Sequence, residues 1–194
     1  LVQPGIPYDS ETALAVAELL ENLLLPALSL DTVAAGSSPL AQRLGQQIAS
    51  PRLSLTDEGR LPGRLGSRMI TGEGLPTGTT PLIEHGRLVG FLADVYQAQK
   101  LASLTGPHVP RNGLRHALNG QSFSMRPGIF PTNVTLTSPD TVAPEALLEA
   151  LGTGLYIGRL WNTVAPEGLQ TGVCSGLVLG PSFRIRHGQL AEPI

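Results

Sequence analysis

The spacing of apolar and polar residues changes rhythm near Pro51. Residues 10–25 (SETALAVAELLENLLL) lack Gly and Pro and are rich in Leu, Ala and Glu. Asp9 or Ser10 is placed to cap, Glu11 suits a first turn and Pro26 ends the run, so the pattern predicts a helix. Residues 38–49 repeat it. Ser38 caps, Pro39 takes the first helical position, and Leu40, Leu44 and Ile48 share one face. Two helices are therefore expected before a sheet. After Pro51, Leu53 and Leu55 alternate with polar neighbours, as in a half-buried strand. Residues 80–91 contain LIEHGRLVGF, two strands joined at His85-Gly86, where glycine accepts the positive φ of a tight hairpin. Residues 93–104 read as a short helix, 105–120 (TGPHVPRNGLRHALNG) as a loop, and NVTLTS as a strand. Residues 144–151 start with Pro144, as a helix does, and stop at Gly152. GLYIGRLW and GLVLG read as further strands. The hexapeptides 83–88 and 185–190 both run apolar-x-His-Gly-x-Leu. That echo fits two hairpins with the same turn chemistry, or a duplicated sheet unit whose hairpins occupy equivalent positions.

Composition narrows the class. The chain has 194 residues, enough for one domain or two small ones, and 41 % of them are hydrophobic, which excludes a disordered chain. Gly (23) and Pro (17) are spread throughout, the punctuation of a sheet-rich protein with many turns. No apolar run is long enough to span a membrane; the best, 19–30, is broken by Glu21, Asn22 and Pro26. A net charge of −2 argues against a nucleic-acid partner, which calls for a basic face. Charged residues are only 14 %, against roughly a quarter in ordinary domains. A surface so poor in charge expects a partner, although large sheets with Gly and Pro turns give the same statistic. A single cysteine forbids an internal disulfide and makes the reducing cytoplasm the default. Lys100 is the sole lysine among 13 basic residues, a bias that fits a GC-rich genome.

Candidate chemistry is sparse. His85 and His187 sit in hairpin turns. His108 and His116 flank Arg111, Asn112 and Arg115 in the 105–120 loop. A guanidinium there, with amide and imidazole neighbours, suits a carboxylate or phosphate by forked hydrogen bonds; a purely structural loop is the competing reading. Cys174 lies in TGVCSG and would need a base to act as a nucleophile. Asp57 and Glu58 are adjacent, so on a strand they point to opposite faces and make a poor catalytic pair. No phosphate-binding glycine loop, H-E-x-x-H or C-x-x-C occurs.

The stretch 71–99 resembles the TldD/PmbA family, also described as DNA-gyrase modulators. The residues that carry the likeness are Glu73, Gly74, Pro76, Thr79, Leu82, Ile83, Gly86, Leu88, Tyr96 and Ala98. Upstream, Gly36, Ser38, Leu40, Leu44, Gly45, Ala49 and Ser50 fit the family's helix leading into "A-S-P" and a strand ending in Asp. Downstream, Pro131, Thr132, Asn133, GTGLYI and the closing RIRHGQLAEPI fit as well. The likeness spans nearly the whole chain but only the family's C-terminal domain, so 1–194 is expected to be one such domain. Its helical part is about 1–50 and its sheet-rich part about 51–194, without the family's N-terminal domain. The expected fold is α+β, with N-terminal helices packed on curved, mostly antiparallel, barrel-like sheets.

Some members of that family are zinc peptidases with His-Glu-x-x-x-His on a helix. In the matching frame Leu19, Leu20 and Asp31 fit, but the metal histidines fall on Glu21 and Pro26 and the catalytic glutamate on Asn22. The resemblance therefore implies the PmbA (TldE) type. That is a subunit with no metal of its own, paired in a heterodimer with a zinc-bearing TldD-like subunit and acting in the cytoplasm on a peptide or peptide-like substrate. The family's Gly-Asp-Phe is here Gly172-Val173-Cys174, which breaks the pattern at that strand. The composition bias and the short form point to a specialised bacterial paralogue in natural-product biosynthesis. Two other readings stand beside this one: a hydrolase in its own right using Cys174 or the loop histidines, and a non-enzymatic binding or scaffold module.

Overall fold

The computed structural model of the chain describes residues 11–115, 124–140 and 142–194. It opens with α1 (Glu11–Leu19), a π-helical turn (Leu20–Leu24), and the short helices α2 (Leu25–Ala27) and α3 (Leu30–Ala34). Then come β1 (Ser54–Glu58), β2 (Thr79–Glu84), β3 (Arg87–Leu88), α4 (Val95–Lys100), α5 (Ala102–Thr105), β4 (Gly113–Leu114), β5 (Gly128–Ile129) and β6 (Val134–Thr137). The chain ends with α6 (Pro144–Leu151), β7 (Gly154–Tyr156), β8 (Arg159–Val164), β9 (Ser175–Leu179), β10 (Phe183–Arg186) and β11 (Gln189–Pro193). Residues 25–137 form one compact unit, and the described residues up to Leu24 together with 138–194 form a second.

In the first unit, the antiparallel sheet β3-β2-β1-β6 carries the core. Leu55 of β1, Leu82 of β2 and Leu88 of β3 are almost fully buried, and so are Leu28, Leu30, Phe91, Leu92 and Leu114. Burying each such side chain contributes about 1.5–3 kcal/mol. The N-terminal segment is fastened to this core by backbone. Leu30 N–H donates to the Leu92 carbonyl (3.0 Å) and Leu92 N–H to that of Leu28 (2.9 Å). Ser29 caps α3, its hydroxyl accepting from Asp31 N–H at 3.3 Å.

The helix expected over 38–49 does not form, because its backbone groups are claimed by the hairpin beside it. Gly45 N–H donates to the Leu88 carbonyl (2.7 Å), Leu88 N–H to that of Gln46 (3.0 Å) and Ile48 N–H to that of Gly86 (2.8 Å). Ser38 does engage Leu40 N–H at 3.1 Å, but it also donates to the Ala27 carbonyl at 2.6 Å, anchoring a turn rather than starting a helix. The first predicted helix is real but ends early, in the π-helical turn before Pro26.

In the second unit, α1 packs on β8, and Thr163 N–H reaches the Glu18 carboxylate at 3.4 Å. The sheets are β11-β10-β7 and β8-β9, again antiparallel. The mixed helix-and-sheet class holds with antiparallel pairing, but the barrel-like part of the expectation is not met. Among the described residues the strands fall into four separate sheets of four, three, two and two strands, with no closed barrel.

The hexapeptide echo is structural. Ile83 pairs with Leu88 and Leu55, and Ile185 pairs with Leu190 and Gly154. Gly86 N–H donates to the Leu53 carbonyl (2.7 Å), two residues before Leu55. Gly188 N–H donates to the Gly152 carbonyl (2.8 Å), two residues before Gly154. Both turns place a His at φ near +50° and a Gly at φ +76°, the double positive φ of a primed hairpin turn. The units β3-β2-β1 and β11-β10-β7 thus repeat one three-strand motif in one register.

Candidate functional site

The alternation of β1 turns Leu55 and Asp57 to the same buried face. Leu55 belongs there by hydrophobicity, whereas Asp57 must be satisfied by hydrogen bonds. Its carboxylate accepts from Thr132 N–H (2.6 Å), the Thr132 hydroxyl (3.0 Å) and the Asn112 side-chain amide (2.7 Å). Burial nonetheless wins, and the carboxyl is pushed above its ordinary value against the pull of those donors. Asn133 completes the cluster: its amide donates to the Glu58 carbonyl (2.7 Å) and the Ser67 hydroxyl (3.0 Å) and accepts from Gly66 N–H (3.1 Å). Gly66 lies so close to the Thr132 carbonyl that a side-chain carbon would overlap it.

The second cluster grows from residues 71–75. The Thr71 hydroxyl accepts from Glu73 N–H (3.2 Å) and Leu75 N–H (3.1 Å), curling the T-G-E-G-L segment into a tight loop. This aims the Glu73 carboxylate at the start of α4, where both oxygens accept from Val95 N–H (3.1 and 3.2 Å). Asp94 caps the same helix through Gln97 N–H at 2.7 Å. Burial pushes the Glu73 carboxyl up, the Val95 bond opposes that, and the Asp94 charge adds to the rise.

The loop residues singled out from the sequence run past this cluster. Gly72 N–H donates to the Gly113 carbonyl (2.8 Å), and Arg115 Nε returns to the Gly72 carbonyl (3.0 Å) and Nη1 to that of Met125 (2.5 Å). Asn112 is fully buried and ties β1 to the Phe130 carbonyl (3.2 Å). Arg111 Nη1 donates to the Thr79 carbonyl, and its guanidinium lies against Gly78, where a side-chain carbon would stand 3.0 Å from Nη1. The described residues give Arg111 no carboxylate partner. His108 is half-buried, edge-on to the Phe91 ring (5.7 Å between centroids) and 3.0 Å from the Thr105 hydroxyl. Burial pushes its pKa down, with the Thr105 bond opposing, so the neutral ring is favoured. Arg111, Asn112, Arg115, His108 and Glu73 therefore belong to one unit. His116 lies outside the described residues. Cys174 is exposed and belongs to the second unit, just before β9.

Asp57, Thr132, Asn133 and Glu73 were not among the candidates drawn from residue chemistry. The signal for them was in the resemblance alone, which quoted Glu73, Thr132 and Asn133 and a strand ending in Asp. A close approach supports a test of how Glu73 is held. A side-chain carbon on Gly113 would overlap the Glu73 carboxylate. Gly113→Ala is expected to destabilise by about 1–3 kcal/mol, and Glu73→Ala in the same chain should recover part of that. A double-mutant cycle by urea denaturation checks it; strictly additive losses would mean that the two do not compete for the space.

The positions that match the family's zinc motif carry a carboxylate, an amide and a proline ring. Glu21 and Asn22 are exposed in the π-helical turn, and the Asn22 amide donates to the Glu18 carbonyl at 3.0 Å. Pro26 lies in α2 and has no side-chain donor atom. Zinc takes thiolate, imidazole or carboxylate ligands, so this set does not fit it. Among the described residues, no group of three or more His, Cys, Asp or Glu is gathered closely enough to hold a metal ion. No helix among them is long and apolar enough to cross a membrane.

Residues 12–194 match the family described as the PmbA/TldA metallopeptidase C-terminal domain. The chain is 32 % identical over 155 residues to a metalloprotease of Synechocystis sp., covering 78 % of this chain and 29 % of that one. It is 28 % identical over 165 residues to a metalloprotease of Methanothermobacter thermautotrophicus, covering 84 % and 33 %. Among solved structures it is similar to TldE from Thermococcus kodakarensis, with a TM-score of 0.72 at 26 % identity, covering 92 % of this chain and 38 % of the other. It is likewise similar to a putative modulator of a DNA gyrase from Thermotoga maritima, with a TM-score of 0.70 at 25 % identity, covering 93 % and 38 %. The chain thus spans about a third of the length of these relatives.

Proposed function

Because the chain belongs to the PmbA/TldA metallopeptidase C-terminal domain family, we propose that it serves a peptide-hydrolysing assembly as the subunit that carries no metal. A zinc-bearing TldD-like subunit is the partner, and a cytoplasmic peptide or peptide-like molecule in natural-product biosynthesis is the substrate. One observation carries this reading: Glu21, Asn22 and Pro26 stand where the family's metal peptidases have two histidines and a glutamate, a set with no competence for zinc. The similarity to TldE of Thermococcus kodakarensis supports it. Zinc bound in that partner would supply activation of the attacking water. This chain's own part is binding and orientation: Arg111, free of a carboxylate partner among the described residues, offers its fork to a peptide carboxylate, and the neutral His108 ring lies on the same segment.

Elemental analysis of the purified chain is expected to find zinc far below one equivalent. Zinc and peptide hydrolysis should appear together when the chain is co-purified with a co-encoded zinc-bearing relative. One equivalent of zinc on the lone chain, lost on mutating His108 or Cys174, would sink the proposal. So would full hydrolysis by the zinc-bearing relative without this chain.

A further inference from the structure

The second unit has almost no core of its own. In the first unit Leu28, Leu30, Leu55, Leu82 and Phe91 are nearly fully buried. In the second, the only buried hydrophobic side chains among the described residues are Ala15 and Ile185. No residue of α6 is buried, every residue of β9 is exposed, and of β8 only Thr163 is buried. A helix as short as α6 is marginal by itself in water, and so is a two-stranded ribbon. Each needs an apolar layer packed against it, and the described residues supply little of one.

The β8–β9 ribbon shows where that layer belongs. Trp161 pairs with Leu177 and Arg159 with Leu179, and cross-strand partners share a face. On it Trp161 is 54 % exposed, Leu177 62 % and Leu179 47 %. The opposite face is already taken. Thr163 lies there against Gly176 and is buried, and its N–H reaches Glu18 of α1. Arg159 is the one charge on the open face, since no Asp, Glu, Lys or Arg occurs between Glu167 and Arg184. Among the described residues β9 pairs with no strand but β8, so its outer edge is open as well. Edge strands that must stay single carry a charge or a proline against pairing; β9 (SGLVL) carries neither.

From this missing layer we propose that the Trp161–Leu177–Leu179 face seats the zinc-bearing TldD-like subunit, whose uncharged apolar surface completes the second unit. The identity of the partner rests on the functional reading above. A substrate that enters and leaves cannot serve as a standing layer of core, whereas a subunit can, and depletion of charge at the centre is the mark of such interfaces. The matched region makes up only 29 % and 33 % of two metalloprotease relatives, so a TldD-like subunit has polypeptide to spare for that layer.

Trp161 is the chain's one tryptophan, so it reports on this face alone. The 194-residue chain labelled with 5-fluorotryptophan gives a single fluorine resonance, read with and without the unlabelled co-encoded zinc-bearing relative. In the complex that resonance is expected to shift and to escape broadening by a soluble paramagnetic agent. Hydrogen exchange should show α6 and β9 opening more readily than β1 and β2 in the lone chain, with β9 gaining protection in the complex. Leu177→Asp is expected to weaken association at least about tenfold. Met69→Asp, similarly exposed but in the first unit, should leave it unchanged. An active complex in which Trp161 stays exposed overturns the docking and leaves the functional reading standing. No complex at all overturns both. A resonance that moves with the concentration of the lone chain assigns the face to a second copy and overturns the proposal. If circular dichroism shows that Leu177→Asp does not fold, the wild-type resonance decides by itself.

Discussion

Asp57→Ala is expected to be among the most damaging single changes in the chain, costing about 2–5 kcal/mol by urea denaturation, because it strands the half-buried Thr132 N–H and the buried Asn112 amide together. The carboxylate holds β1, β4 and the 130–133 segment at one point, so its loss should loosen all three. Asp57→Asn is expected to cost much less. Its oxygen still accepts from Thr132 N–H. Its new amide meets Asn112, whose side-chain oxygen is buried without a partner among the described residues and can accept after a half-turn of that amide. The two variants also separate hydrogen bonding from charge. In the folded chain burial holds the Asp57 carboxyl above its ordinary value. The native state therefore binds this proton more readily than the unfolded state does. The stability Asp57 gains from that is fully present below the unfolded value and is lost as pH rises through the raised folded one. The difference in unfolding free energy, wild type minus Asp57→Asn, should accordingly fall between acid and neutral pH. Glu73 is shifted in the same direction but is present in both proteins and cancels. A difference that grows with pH would mean the Asp57 donors outweigh its burial.

Local signals were readable where sequence and tertiary structure ask for the same thing. The His-Gly hairpins, the Pro144 helix start and the strands at 54–58 and 134–137 needed only neighbouring residues to specify them. The 38–49 segment failed because Leu40, Leu44 and Ile48 satisfy a helical spacing while the β2–β3 hairpin satisfies the backbone; tertiary hydrogen bonds outweighed a modest propensity. The polar framework was legible only through family resemblance. Asp57 looks like half of an ordinary acidic pair, and nothing beside it in sequence announces Asn112 or Thr132, 55 and 75 residues away. Glu73 is similar: a helix-capping role across 22 residues leaves no periodic trace. The loop residues Arg111, Asn112 and Arg115 were picked out by residue type, and the structure divides them. Asn112 is consumed by the framework and Arg115 returns to the backbone, while Arg111 keeps a charge that no described carboxylate answers.

That division makes Arg111 the residue on which the functional reading can be tested hardest. Under the proposed reading, a guanidinium with one backbone acceptor and no carboxylate partner among the described residues offers a charge-assisted fork to a peptide carboxylate, a contact worth roughly 1.5–3 kcal/mol. Arg111→Ala in the reconstituted complex is therefore expected to lower peptide turnover about tenfold to a hundredfold, with melting temperature and assembly unchanged. Arg111→Lys should recover little, because a point charge does not reproduce a planar fork. Gly78→Ala offers an independent probe, since its new methyl would stand 3.0 Å from Nη1 and 3.3 Å from Cζ. Pushing the guanidinium off its seat without removing it should give a smaller loss in the same direction. The opposing account is that Arg111 serves only to pin its loop to Thr79. It predicts a drop in melting temperature for Arg111→Ala, activity that falls only in step with that drop, and substantial rescue by lysine, which can also donate to a carbonyl. Measuring turnover, melting temperature and assembly on the same three variants separates the two, because loop pinning has no means of lowering activity at constant stability.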